Sequence, residues 1–299
     1  MKVNKRFLRY GAVICIILFV VLGYSASQTV KTAPTGAQDI SALQKEVIAK
    51  LAGKEAIKDT VILKDRSAPE NKTFARQYLF DTFNSLDLKA MRQTYRENGE
   101  NIYAVLDATK PSDEYIILGA HFDSVRGCPG ANDNATGVAM VIGAASSLKQ
   151  VTPRSKNIMF VLFDEEERGM LGSRAFAQKI VDEKVNVISV HTIDQMGWDS
   201  DGDRAVELEV PYEGAVELYQ QALINAGLTF ALLQTRETGS DHSAFRRLNF
   251  KAVGLTEEYR NGDTTPHIHK STDVYDTVNF DYLLSSTKLT IEAMKILVK

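Results

Sequence analysis

The chain is poor in the residues that cross-link or specialise a fold. It has two cysteines in 299 residues, one tryptophan and five histidines. Cys15 lies in an apolar N-terminal run, beside Ile14, which is too large for a lipoprotein cleavage box. Without that run Cys128 is the only thiol, so an internal disulfide is excluded. Stability must then come from the core, to which a bound metal could add. No basic surplus exists either. With the four basic residues of the N-terminal segment set aside, 31 basic side chains face 38 acidic ones, a net of −7. No basic stripe remains for nucleic acid to bind. There is no repeat, no low-complexity tract and no strong internal boundary. What the chain does have is a 44% hydrophobic composition, enough for one large core or two small ones.

The N-terminus reads as an address. Lys2, Lys5, Arg6 and Arg9 precede an apolar run over 11–23. Its 13 residues fall short of the ~20 of a membrane span and suit a signal-peptide core. Ser25, Ala26 and Ser27 supply small residues for cleavage. Residues 1–27 are therefore expected to be a signal peptide, or an anchor if uncleaved, and 28–299 a single domain. Either way the folded part is expected outside the cytoplasm, periplasmic or extracellular, touching a membrane only through an uncleaved N-terminus.

Hydrophobic spacing predicts helices over 41–51, 68–86, 137–148, 173–181, 212–226, 241–248 and 281–297. It predicts strands over 102–106, 115–120, 158–163, 187–193 and 252–255, with a polar lead over 28–39. The alternation calls for an α/β fold of three layers, a mostly parallel or mixed sheet with helices on both faces.

Three of these strands end in groups able to bind metal. The run Tyr115-Ile116-Ile117-Leu118-Gly119-Ala120 leads into His121-Phe122-Asp123. The strand ending at Phe163 leads into Asp164-Glu165-Glu166-Glu167, and the strand over 187–193 leads into Asp194. Ligands in open α/β sheets sit at the carboxyl ends of strands. Asp123 reads either as a ligand or as the carboxylate that orients His121. Gly130-Ala131-Asn132-Asp133-Asn134-Ala135-Thr136-Gly137 reads either as an ordinary turn and cap or as a loop holding Asp133 as a ligand. Adjacent glutamates suit hydrolysis, one holding metal while its neighbour takes a proton from water. All five histidines, His121, His191, His242, His267 and His269, fall in or near such segments.

The order H-x-D, G-A-N-D-N-A-T-G, E-E-x-G-x-x-G-S, a later Asp, S-D-H and I-H-x-x-x-D resembles the di-zinc aminopeptidases of peptidase family M28, over roughly 114–277. The resemblance implies two Zn²⁺ ions, with His121 and Asp194 on one, Glu167 and His269 on the other, and Asp133 bridging. It implies Glu166 as general base, Asp123 supporting His121, a cis peptide between Asp133 and Asn134, and peptide or protein N-termini as substrates. Glu165 is expected to be solvated, His191 to be core, and Asp241 and His242 to buttress the site or a helix start. Cys128 has no catalytic role in this reading. The sequons at Asn71 and Asn134 are discounted as glycosylation sites.

The sequence departs from the family at the oxyanion-stabilising tyrosine, where Glu237 and Ile268 stand. Tyr259 and His267 are the substitutes available. Segments 199–212 and 256–266 are expected to shape the specificity pocket, with Glu237, Glu257 and Glu258 as further contacts for the substrate ammonium. Rival readings in the same fold are a glutaminyl cyclase, for which Trp198 would have to line the pocket, and a carboxypeptidase. A non-catalytic binding domain is the remaining alternative.

Overall fold

Four parallel strands, buried on both faces, carry the carboxyl-terminal edge on which the site is built. In a computed structural model, residues 37–259 and 262–299 are described, all within one compact unit. The expected signal segment lies outside the described residues.

The strands are β1 (Ala90–Arg96), β2 (Gly99–Leu106), β3 (Glu114–His121), β4 (Asn157–Phe163), β5 (Asn186–Asp194), β6 (Val206–Glu209), β7 (Leu232–Thr235) and β8 (Ala252–Glu257). They form one mixed sheet in the order β1-β2-β4-β3-β5-β8-β6-β7. Strands β4, β3, β5 and β8 run parallel, while β2 is antiparallel to β4 and β6 to β8. After β3 the chain crosses to β4 on one side and later to β5 on the other. That reversal opens a crevice at the carboxyl ends of these strands.

The helices are α1 (Ala37–Leu51), α2 (Pro69–Ser85), α3 (Gly137–Leu148), α4 (Leu171–Asp182), α5 (Ala215–Ala226), α6 (His242–Arg246) and α7 (Phe280–Val298). Strand pleating divides the core. Ile158, Phe160 and Leu162 of β4 join a large cluster with α1, α2, α3, α5 and α7, and Met159, Val161 and Phe163 join a smaller one with α4 and α6. This two-sided burial is why β3 and β4 read as continuous apolar runs. Each such side chain contributes roughly 1.5–3 kcal/mol on burial. Among the described residues no helix is long and apolar enough to cross a membrane.

Strands β1, β6 and β7 are additions to the sequence expectation. β1 is an edge strand of alternating polar exposure, and β6 and β7 have four residues each, too short to show a period. Two helices are shorter than expected. Gly214, at φ +89°, holds α5 back to Ala215, and α6 covers only five residues.

Candidate active site

His121 ends β3, and its Nδ1 lies 3.4 Å from Asp123 Oδ1. The same Asp123 carboxylate accepts the backbone N–H of Glu166 at 3.0 Å and of Glu167 at 3.3 Å. One buried side chain thus holds the turn after β4 and stands beside the imidazole.

The loop carrying Asp133 is held from three sides. Gly130 has φ +65°, and a Cβ there would lie 2.4 Å from the Asp133 carbonyl oxygen. Asp273 accepts the backbone N–H of Asn132 at 2.8 Å and of Asp133 at 3.0 Å. The Asn134 amide accepts from Gly137 and Gln195 N–H and donates to the Ile193 carbonyl, tying the loop to the end of β5 beside Asp194. The Asp133–Asn134 peptide is cis, as the resemblance implies. Asn134 is fully buried, which leaves no room for a glycan. Arg66, also fully buried, donates to the carbonyls of Leu51, Phe122, Pro129 and Gly130. No sequence signal marked it, because it stands in an ordinary polar stretch.

Glu165 corrects the sequence expectation. It is 0% exposed, not solvated. Its carboxylate accepts from Lys72 at 2.8 Å, Arg96 Nε at 2.6 Å and the Tyr95 hydroxyl at 2.9 Å. Neighbouring Asp164 pairs with Arg76 and Lys72. Burial raises the Glu165 pKa, but the bonds to Arg96 and Lys72 outweigh it and hold the group at about 2. A buried charge needs such partners, and here they pin the start of the turn Glu166–Arg168. The partners come from α2 and β1, more than 60 residues away in sequence, where no local pattern reveals them.

The metal-capable groups converge. His121, Asp133 and Asp194 offer ligand atoms within 4.8 Å of one another, and so do Asp133, Glu167 and His269. His121 Nε2 lies 3.3 Å from Asp194 and 3.4 Å from Asp133 Oδ1. His269 Nε2 lies 3.1 Å from both Asp133 Oδ2 and Glu167 Oε2. Asp133 thus turns one oxygen to each group. The five residues reach this place from two strand ends and three loops or turns spread over 149 positions of sequence.

The charges are frustrated without a cation. Burial pushes the Glu166 carboxyl up to about 10, with Asp241 and Asp194 adding and His121 opposing. Burial and Asp133 push Glu167 up to about 8. His269 is raised to about 9 by its bond to Asp133, and the bonds from both imidazoles outweigh burial to lower Asp133.

The remaining candidates separate clearly. A cleft of about 460 Å³ contains Glu166 and four of the ligand candidates, along with Glu237, Tyr259 and Ile268. Glu257 does not line it and instead accepts the N–H groups of Gly197 and Trp198. Trp198 donates to Asp263, and its ring packs on His267, whose Nδ1 lies 2.9 Å from the Thr272 hydroxyl; neither ring lines the cleft. His191 is core, lowered to about 3 by burial, and Cys128 is buried and raised to about 12 by burial and Asp273. Asp241 is buried at the start of α6.

An α/β sheet with paired His–carboxylate groups around a shared aspartate at its carboxyl edge defines a metallopeptidase of the exopeptidase class. The chain belongs to peptidase family M28, whose sequence profile matches residues 101–294. It is 22% identical over 296 residues to a probable leucine aminopeptidase of Arthroderma otae, covering 91% of this chain and 79% of that one. Against two further fungal leucine aminopeptidases it spans only 64% and 53% of their length. Among solved structures it resembles Legionella pneumophila LapA (TM-score 0.76, 21% identity, covering 96% of this chain and 80% of that one). It also resembles BSAP, a zinc aminopeptidase from Bacillus subtilis (TM-score 0.62, 24% identity, covering 67% and 50%). The same fold occurs in Porphyromonas gingivalis glutaminyl cyclase (TM-score 0.71, 15% identity, covering 89% and 100%).

Proposed function

We propose that this chain is an exported aminopeptidase that holds two zinc ions and hydrolyses the peptide bond after a free N-terminal residue. The observation that carries this reading is the pair of three-residue groups sharing Asp133, with Glu166 in the same cleft. Residues 28–299 would form one peptidase domain, and 1–27 its export signal or anchor.

The residues present fit the metal. Imidazole nitrogen and carboxylate oxygen are ordinary zinc donors, and each group leaves coordination open for substrate. Seven carboxylates and no lysine or arginine are among the described residues lining the cleft, so its charge calls for cations. His121 and Asp194 would hold one ion, Glu167 and His269 the other, and Asp133 both. When bound, two zinc ions supply Lewis-acid polarisation and an acidified water.

The chain's own groups supply the rest. Asp123 fixes the His121 ring and the backbone of the Glu166 turn. Glu166 accepts the proton of the attacking water and returns it to the leaving amine nitrogen. Tyr259 lines the cleft, and burial with Asp194 beside it raises its phenol far above the usual range. It therefore stays protonated and is suited to donate to the oxyanion, a role for which His267 is badly placed.

The rivals fare worse. A carboxypeptidase needs a cation for the terminal carboxylate, and the described cleft residues include none. A glutaminyl cyclase shares the fold, but Trp198 lies away from the cleft. A binding domain has no need of a complete ligand set. The test is zinc content and hydrolysis of aminoacyl-arylamides by the mature chain. The expected result is close to two zinc ions per chain and loss of activity with a chelator. Activity in chelator with no zinc would contradict the proposal.

A further inference from the structure

The cleft continues past the ligand groups into a wall of unusual composition. Strand β6 presents Glu207 and Glu209 to it, while Val206 and Leu208 turn into the large core cluster. Glu237, Thr235 and Thr256 join them, and among the described lining residues Ile268 is the only aliphatic side chain of more than one carbon. An apolar N-terminal side chain would find little to pack against here. Its burial would instead strip water from carboxylates, an unfavourable exchange.

Glu209 makes the wall specific. It is only 8% exposed, and its Oε2 has no hydrogen-bond partner. The nearest candidate is His242 Nδ1 at 3.3 Å, also without hydrogen-bond geometry. That ring brings no positive charge to the carboxylate. Its Nε2 faces the Glu237 carbonyl oxygen at 3.1 Å and so carries the proton, which leaves a lone pair on Nδ1. Burial lowers His242 to about 4, so the ring is neutral at pH 7. Burial and then Asp194, Glu207 and Glu237 push Glu209 up to about 8, so before substrate enters it keeps a proton at pH 7, and an arriving cationic side chain would displace that proton. Glu207 Oε1 accepts the Tyr259 N–H at 3.0 Å, which fixes it beside the same space.

We propose that this pocket receives the side chain of the substrate's first residue and selects a cationic one, lysine or arginine, with Glu209 as its buried partner and Glu207 and Glu237 beside it. The proposal rests on the aminopeptidase reading and names its substrate class. A long cationic side chain fits the chemistry, since its methylenes reach past Ile268 and Tyr259 while its charge meets the carboxylates. A charged partner for a desolvated carboxylate contributes more than a surface pair would.

The experiment compares kcat/KM of the zinc-loaded enzyme on lysyl-, arginyl-, leucyl- and norleucyl-arylamides. Norleucine matches lysine in length without the charge. Lysine and arginine should exceed norleucine at least about tenfold, and Glu209→Gln should cut the lysine-to-norleucine ratio by a similar factor. The exposed Glu237→Gln, which places no demand on folding, should cut it less. A wild type that prefers leucine or norleucine, or variants that leave the ratio unmoved, would overturn the proposal. Thermal shifts with argininamide and norleucinamide give a reading independent of hydrolysis. If no arylamide is cleaved, the aminopeptidase reading fails. A larger shift with argininamide, lost in Glu209→Gln, would still support the pocket, and equal shifts would overturn it.

Discussion

Asp123 Oδ1 accepts the backbone N–H of Glu166 at 3.0 Å while standing 3.4 Å from His121 Nδ1. A single carboxylate therefore sets the position of a proposed ligand and of the proposed base. Asp123→Asn keeps the shape but places an amide where two N–H groups and an imidazole need an acceptor. Zinc affinity should fall about 10–100-fold, the usual cost of losing a carboxylate behind a ligating histidine. A competitive chelator titration measures it, and unchanged affinity would remove Asp123 from this role.

Glu166 and Glu167 are neighbours with different expected phenotypes. Glu166→Gln should lose at least about 10²-fold in kcat, the scale of general-base removal, and retain its metal. Glu167→Gln should bind less zinc. Zinc content measured beside kcat for both variants separates the roles. A fully active Glu166→Gln would place the base elsewhere.

Glu165 is expected to act on stability. Glu165→Gln leaves Lys72, 2% exposed, with its charge poorly matched. Removing one partner of a buried ion pair costs about 3–5 kcal/mol. Exposure of Arg96, at 39%, places the expected loss at the lower end. Urea denaturation reads this out, and a variant as stable as the wild type would contradict the burial argument.

The metal-free protein should become less stable as pH rises. Glu167, His269 and Glu166 are raised to about 8, 9 and 10, so the folded state keeps protons that the unfolded chain has released. Such groups contribute most below their ordinary pKa values, ~4.3 for glutamate and ~6.5 for histidine, and lose that contribution as pH climbs to the folded values. Asp133 and Glu165 are lowered, so their contribution is constant above about pH 5 and fades only in acid. Under the proposed function zinc would replace the retained protons. Its gain in Tm should therefore widen from pH 5 to pH 9. A gain that shrinks over that range would contradict the charge balance.

The parts of the site legible in the sequence are those that sit where buried strands stop. His121, Asp194 and the Glu166–Glu167 pair follow apolar runs whose length forces their ends to one sheet edge. Asp133 and His269 lie on loops and needed the motif order as well. Glu165 departs from the solvated position expected of it because an acidic triplet gives no hint of Lys72 and Arg96, which reach it from α2 and β1. Glu207 and Glu209 alternate with Val206 and Leu208, but four residues are too few to establish a strand or say which face meets the cleft. Asp273 ended a motif, while its grip on the Asp133 loop depends on a contact across 140 residues.

The most direct test uses one peptide in two forms, with a free amino terminus and with that terminus acetylated, digested by the zinc-loaded enzyme and followed by mass spectrometry. Stepwise loss of residues from the amino end of the free peptide and an intact acetylated twin are expected. Equal cleavage of both, or loss from the carboxyl end, would contradict the proposed function, as would loss of ammonia from an N-terminal glutamine without shortening of the chain.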